Sequence, residues 1–192
     1  MIKDLFNEFL KLSQELRPGY PFSLGMGQEI AQESIQEVFK KIKINIPTVY
    51  EVIYGTVQGT KRNIEDQRMF DFTPGYRLIH IDEFIHEKNV MNKVLENENQ
   101  YKFVLPLLTN LSSDFICFAE KMNGEQHICT LLHEDGELVL MHQTVIKFFE
   151  TINEFYKHRV YSLDKDNFLD YDWEKESSLG ARINPNVGYW CS

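Results

Sequence analysis

Six histidines, three cysteines and a surplus of carboxylates are the side chains through which this chain could do chemistry. His80 and His86 flank the Asp82-Glu83 pair, and His127, His133 and His142 fall on or beside apolar runs. Zinc needs three or four such ligands converging on one point, usually announced by short fixed spacings. The chain has neither His-Glu-x-x-His nor Cys-x-x-Cys, so the histidines read as surface or packed side chains. Cys117, Cys129 and Cys191 are too sparse for a disulfide framework, and the first two sit in apolar runs, where cysteine behaves as a small hydrophobe. Gly25-Met-Gly27 precedes a helical pattern, but a dinucleotide fingerprint needs a third glycine, where this chain has Ile30, and a preceding strand. Asp164-Lys-Asp-Asn-Phe-Leu-Asp170 opens like a calcium loop. The loop template then wants an acid, a glycine and a glutamate where Phe168, Leu169 and Lys175 stand. There is no Gly-x-Ser-x-Gly. The expectation is no catalytic residue, no metal ligand and no cofactor.

One stretch retains functional potential. Between 164 and 176 the acids Asp164, Asp166, Asp170, Asp172, Glu174 and Glu176 face only Lys165 and Lys175, with Phe168, Tyr171 and Trp173 interleaved. Acids steer a basic partner and desolvated aromatics anchor it. Asp164, Asp166, Asp170, Asp172, Trp173 and Glu174 are therefore the candidate partner-binding residues. The plainer expectation for the aromatics is that they dock the tail onto the domain while the acids face water.

The elements that must position these residues are legible in apolar spacing. Asn123-Gly124 and Asp135-Gly136 separate the runs Asp114-Phe-Ile-Cys-Phe-Ala119, Gln126-His-Ile-Cys-Thr-Leu-Leu132 and Glu137-Leu-Val-Leu-Met141, which predicts a three-stranded meander with positive φ at both central positions of each turn. A helix follows from Thr144, with Val145, Phe148, Phe149, Ile152, Phe155 and Tyr156 on one face. Further helices are predicted over 2–16, over 28–41, from Pro47 to Tyr54, and from an Asp82 cap to about Glu96. Strands are predicted over 76–81 and 101–108, the latter an edge or a strand end at Pro106. Residues 18–27 and 55–75 read as loops, and the chain beyond Arg159 as an irregular tail. The fold class is α+β: a central, mainly antiparallel sheet with a meander, helices packed against it, N-terminal helices and the irregular C-terminal tail.

At 192 residues with 43% hydrophobic side chains, the chain suits one domain with a full core. Its 29 acids against 20 bases give a formal net charge of -9. Such a surface repels nucleic-acid phosphate and anionic lipid, so neither nucleic acid nor membrane is an expected partner. No apolar run approaches a bilayer span, and the first residues, with Asp4 and Glu8, do not read as a secretory signal, so a cytoplasmic location is expected.

The order of short motifs resembles the SUKH superfamily, which includes the fungal Smi/Knr cell-wall regulators and many bacterial immunity proteins. Gln28-Glu-Ile-Ala-Gln-Glu-Ser-Ile35 is similar to its opening helix and Ile46-Pro-Thr-Val-Tyr50 to its Leu-Pro-x-x-Tyr segment. Arg77-Leu-Ile-His-Ile-Asp-Glu-Phe84 resembles its strand-into-helix, Phe103-Val-Leu-Pro-Leu107 the strand before the meander, and Phe148-Phe-Glu-Thr-Ile-Asn-Glu-Phe155 its closing helix. The likeness covers about 27–157, leaving 1–26 as an N-terminal helical extension and 158–192 as a C-terminal one within a single domain, 1–192. It departs where Thr48 and Val49 replace an acidic position and where Gly55-Thr-Val-Gln-Gly59 replaces Asn-Gly-Gly. The resemblance implies a non-enzymatic protein-binding module. As an immunity protein, it would neutralise a cognate bacterial toxin by occlusion, a basic nuclease being the partner best matched in charge. The alternatives are a regulatory scaffold of the Smi/Knr kind and, from the histidines alone, a metal-dependent hydrolase.

Overall fold

A computed structural model describes residues 1–26, 32–96 and 99–191. The meander forms as the apolar runs require: β3 (Phe115–Lys121), β4 (Gln126–Leu131) and β5 (Leu138–His142) pair antiparallel in sequence order. They extend a sheet begun by β1 (Arg77–Leu78) and β2 (Tyr101–Thr109), giving the order β1-β2-β3-β4-β5. The turns differ from expectation in one respect. Only the glycines take positive φ, 86° at Gly124 and 66° at Gly136. Gly124 N donates to Lys121 O at 3.0 Å, and Gly136 N to Leu132 O at 3.0 Å. Asn123 and Asp135 stay right-handed side of zero, so each loop is an ordinary turn closed by a left-handed glycine.

Strand alternation gives the sheet two buried faces. Leu105, Leu107, Ile116, Phe118 and Ile128 join the main core, together with α1 (Ile2–Leu16), α4 (Thr48–Tyr54) and α6 (Val145–Lys157). Val104, Phe115, Cys117, Ala119, Cys129 and Leu131 pack on the opposite face under Met91 of α5 (Phe84–Val94). Both strand cysteines are thus small buried hydrophobes, placed directly across from each other. All six apolar positions expected on α6 are buried, and Thr144 caps the helix by accepting from Lys147 N at 3.1 Å. On α1, Phe9 stacks on Phe72 at 4.2 Å between ring centroids and Phe6 meets Phe149 at 5.7 Å.

Several local expectations are corrected. Within the loop predicted over 18–27, Tyr20–Ser23 is a short helix, α2, with Pro21 near its start. The helix expected from Gln28 runs as α3 (Gln32–Ile42), and its first predicted residues, with Gly27, lie outside the described residues. Pro47 is the cap of α4, one residue before the helix. The strand expected over 76–81 is cut to β1 because His80 Nδ1 accepts from Asp82 N at 3.2 Å and turns the chain into a 3-10 turn, Ile81–Glu83. His80, and not Asp82, therefore does the capping, and α5 starts without a side-chain cap. Pro106 lies in the second strand, but β1 covers only Leu108 and Thr109 of it. Beyond that overlap Tyr50 Oη donates to Leu105 O and Pro106 O at 3.2 and 3.1 Å. On the other side Pro106 faces Cys117 of β3, and the register shifts between Pro106 and Leu108, so the proline marks an irregularity inside an interior strand and not the expected edge or strand end.

The buried Arg77 guanidinium ties the long loop to α5. It bonds Thr60 O at 2.6 Å and pairs with Glu83 at 2.7 Å and Glu87 at 2.6 Å.

The chain beyond Arg159 is not irregular. It forms the hairpin β6 (Tyr161–Leu163) and β7 (Leu169–Tyr171), the helix α7 (Trp173–Ile183) and a 3-10 turn, Gly188–Trp190. Tyr161, Leu169, Leu179, Val187 and Trp190 join the main core, and α7 packs on α6.

Candidate functional site

The C-terminal segment builds two adjoining features, an acidic aromatic surface and a cavity behind it. The six sequence-predicted residues divide by task. Asp164 Oδ1 accepts from Asp166 N at 2.8 Å and Phe168 N at 2.9 Å, closing the β6–β7 turn, where Asn167 takes φ 66°. Asp172 caps α7 by accepting from Lys175 N at 3.1 Å and pairs with Lys175 Nζ at 2.8 Å. The Lys175 side chain, donating to it, holds the Asp172 carboxyl below the usual range. These two carboxylates are spent on local structure. Asp166, Asp170 and Glu174 are exposed.

Trp173 is 65% exposed, and Phe168 and Tyr171 are each 41% exposed. The plainer expectation, that these three dock the tail, is therefore corrected. Tyr161, Leu169, Leu179 and Trp190 do the docking and leave the other rings on the surface. Trp173 opens α7 immediately after the cap, with Glu174 beside it, and α7 turns Leu179 and Gly180 inward.

The cavity lies between β5, α6, the β6–β7 hairpin and α7, with a volume of about 120 Å³. Phe148, Ile152, Phe155, His142 and Trp190 form its buried base, while the partly exposed Tyr171 and Tyr189 stand at its mouth. Trp190 is fixed by its indole N–H, which donates to Met141 O at 2.7 Å, and its ring lies against Gly180 so closely that a methyl group there would overlap it. His142 Nδ1 bonds Asn184 Oδ1 at 3.0 Å, and Asn184 Nδ2 donates to Thr151 Oγ1 at 2.9 Å and Gly180 O at 3.1 Å. Since Asn184 Oδ1 can only accept, His142 carries its proton on Nδ1. Burial pushes its pKa down to about 4, so the ring is neutral at pH 7.

Glu176 also lines the cavity, and burial pushes its pKa up to about 7. Its position follows from helix geometry: Glu176, Leu179, Gly180 and Ile183 recur at the spacing of one face, so this carboxylate falls on the inward stripe of α7. That spacing is readable in the sequence, but only once α7 is recognised as a helix. The other wall residues, Tyr76, Tyr161, Tyr189 and Trp190, had no local signal and are assembled from three separate segments.

The remaining candidate chemistry disperses. Ile128 is the cross-strand partner of His142, so alternation puts His127 on the opposite face of β4. His133 pairs with Asp114 at 2.8 Å. Among the described residues no three His, Cys, Asp or Glu side chains converge as metal ligands. No helix among them is long and apolar enough to cross a membrane.

No protein-family model matches the chain, and no curated protein matches it.

Proposed function

We propose that this chain is a non-enzymatic protein-binding module whose C-terminal hairpin and the first turn of α7 meet a basic partner. Following the resemblance to the SUKH superfamily, the partner is a toxin encoded beside the chain, neutralised in the cytoplasm by covering its working face. The observation that carries the reading is Trp173, 65% exposed at the start of a capped helix, between Asp172 and Glu174 and three residues after Asp170. A large ring left in water on a rigid element gains from desolvation by a partner, which is why tryptophan is over-represented among residues that dominate interfaces. The surrounding carboxylates add direction. With a net charge of -9, they draw a cationic surface in and speed encounter at low salt.

The structure refines which acids to alter. Asp164 and Asp172 hold the turn and the helix start, so reversing them would confound folding with binding. Asp166 and Glu174 bear no such load, and Asp170 Oδ1 accepts only from the N–H of the next residue, Tyr171, at 2.8 Å. Reversing these three to lysine should slow association with the neighbouring toxin domain by about tenfold or more at low ionic strength, the difference shrinking as salt rises. Stopped-flow mixing measures it directly. An unchanged association rate would remove this surface as the binding face.

A further inference from the structure

The cavity behind the exposed face has a composition that selects a ligand. Aromatic rings surround it: Phe148 and Phe155 at the base, Tyr161 and Trp190 on the walls, Tyr171 and Tyr189 at the mouth. Tyr161 meets Phe155 at 5.4 Å and Trp190 meets Phe155 at 5.8 Å between centroids, so the rings form a continuous packed wall. The only carboxylate among the lining residues is that of Glu176, and no lysine or arginine lines the space. His142, the sole basic candidate, is bonded to Asn184 and held neutral. The Glu176 carboxylate has no hydrogen-bond or ion-pair partner among the described residues, although burial already disfavours its charge. A lone, partly desolvated carboxylate costs stability until a cation meets it. Electron-rich ring faces attract ammonium groups, best of all those with alkyl substituents that also bury apolar surface. The volume of about 120 Å³ is of the order of the roughly 150 Å³ hollow that accepts a benzene-sized guest.

We propose that this cavity binds an alkylammonium group, paired with the Glu176 carboxylate and enclosed by the surrounding rings. Two sources carry that head group, a free organic amine and the side chain of a lysine on another protein. The site has its own wall and its own charge, so it does not depend on the partner-binding reading.

Binding is coupled to the ionisation of Glu176. The other titratable groups around it are Tyr76, Tyr161, Tyr171 and Tyr189, from the loop before β1, the hairpin and the terminal turn, and His142 from β5. Burial raises Tyr161 and Tyr189, the latter to about 12, so these phenols stay neutral near pH 7. Glu176, with its pKa pushed up to about 7, changes charge there. It is mostly protonated at pH 6 and mostly ionised at pH 8, so affinity for a cation should rise by about tenfold between them.

The test is an NMR titration following the indole N–H of Trp190, which is distinct from that of Trp173 because it donates to Met141 O. The probes are choline, its uncharged isostere 3,3-dimethylbutan-1-ol, and Nα-acetyl-lysine amide. Saturable binding of choline or of the lysine derivative, tighter at pH 8 than at pH 6 and weakened at least tenfold by Glu176→Gln, supports the site. Which of the two cations binds tighter identifies the source. Equal binding of the uncharged isostere, unchanged affinity in a folded Glu176→Gln, or no saturable shift with either cation would overturn it. Loss of this binding in Glu176→Gln and loss of partner association on reversing Asp170 and Glu174 are separate readouts, so the two proposals fail separately.

Discussion

Glu176 and His142 line the same cavity, and burial shifts both toward the neutral form, but their effects on stability run in opposite directions with pH. Between about pH 4.5 and 7 the folded chain keeps a proton on Glu176 that the unfolded chain has released, so stability falls as pH rises through that window. Between about pH 6.5 and 4 the unfolded chain takes a proton on His142 that the folded chain refuses, so stability falls as pH drops. The full His142 shift corresponds to about 3 kcal/mol. The two trends offset each other where they overlap, from about pH 4.5 to 6.5. Glu176→Gln keeps the shape and removes one trend. Denaturant unfolding should find it matching the parent at pH 4.5 and more stable by about 1–2 kcal/mol at pH 8, a figure discounted because the carboxylate is partly hydrated. Equal stability at pH 8 would mean that Glu176 reaches water freely and that the cavity is more open than described. Arg77 is the contrasting case of burial. Its charge is met by Glu83, Glu87 and the Thr60 carbonyl, so its desolvation is compensated by strong bonds.

The elements best read in advance were those with long, regular apolar spacing. The α6 face runs unbroken from Val145 to Tyr156, and the β3–β4 register follows from apolar runs separated by Asn-Gly. The C-terminal segment escaped because β6 and β7 are three residues each, too short for alternation to register, and because α7 has a narrow inward face of Glu176, Leu179, Gly180 and Ile183. The exposed aromatics misled for a related reason: Phe168, Tyr171 and Trp173 look like anchors by type, but Trp190 takes the anchoring place against α7. Of the candidate site, the acids and Trp173 were legible; the division between Asp164 and Asp172, which hold a turn and a helix start, Asp170, which accepts from Tyr171 N, and the unbonded Asp166 and Glu174 carboxylates was not, since it rests on backbone geometry. Gly180 is the point where α7 and the terminal turn meet. A methyl group there overlaps the Trp190 ring, so Gly180→Ala should cost about 1–3 kcal/mol, despite alanine's better helix propensity. The emission of Trp190 should shift red as its ring is displaced toward water. A stabilised Gly180→Ala with unchanged emission would show that Trp190 does not pin this segment.

At the scale of the whole molecule, the sheet is covered on both faces, by α1, α4 and α6 on one side and α5 on the other, and the C-terminal segment is packed alongside α6. The candidate surface therefore sits on elements held by core packing, a rigid platform that loses little entropy on binding. The net charge of -9 extends its reach beyond contact distance. An immunity protein should hold one partner tightly, whereas a regulatory scaffold should hold several weakly, and the same surface would serve either. If the partner is the proposed toxin, the most direct measurement is its dissociation constant for the parent chain and for Trp173→Ala, whose ring lies outside both core clusters. The account predicts nanomolar or tighter binding by the parent and at least a tenfold loss in the variant, about 1.4 kcal/mol or more, with unfolding unchanged. Equal affinity of the two proteins would contradict it.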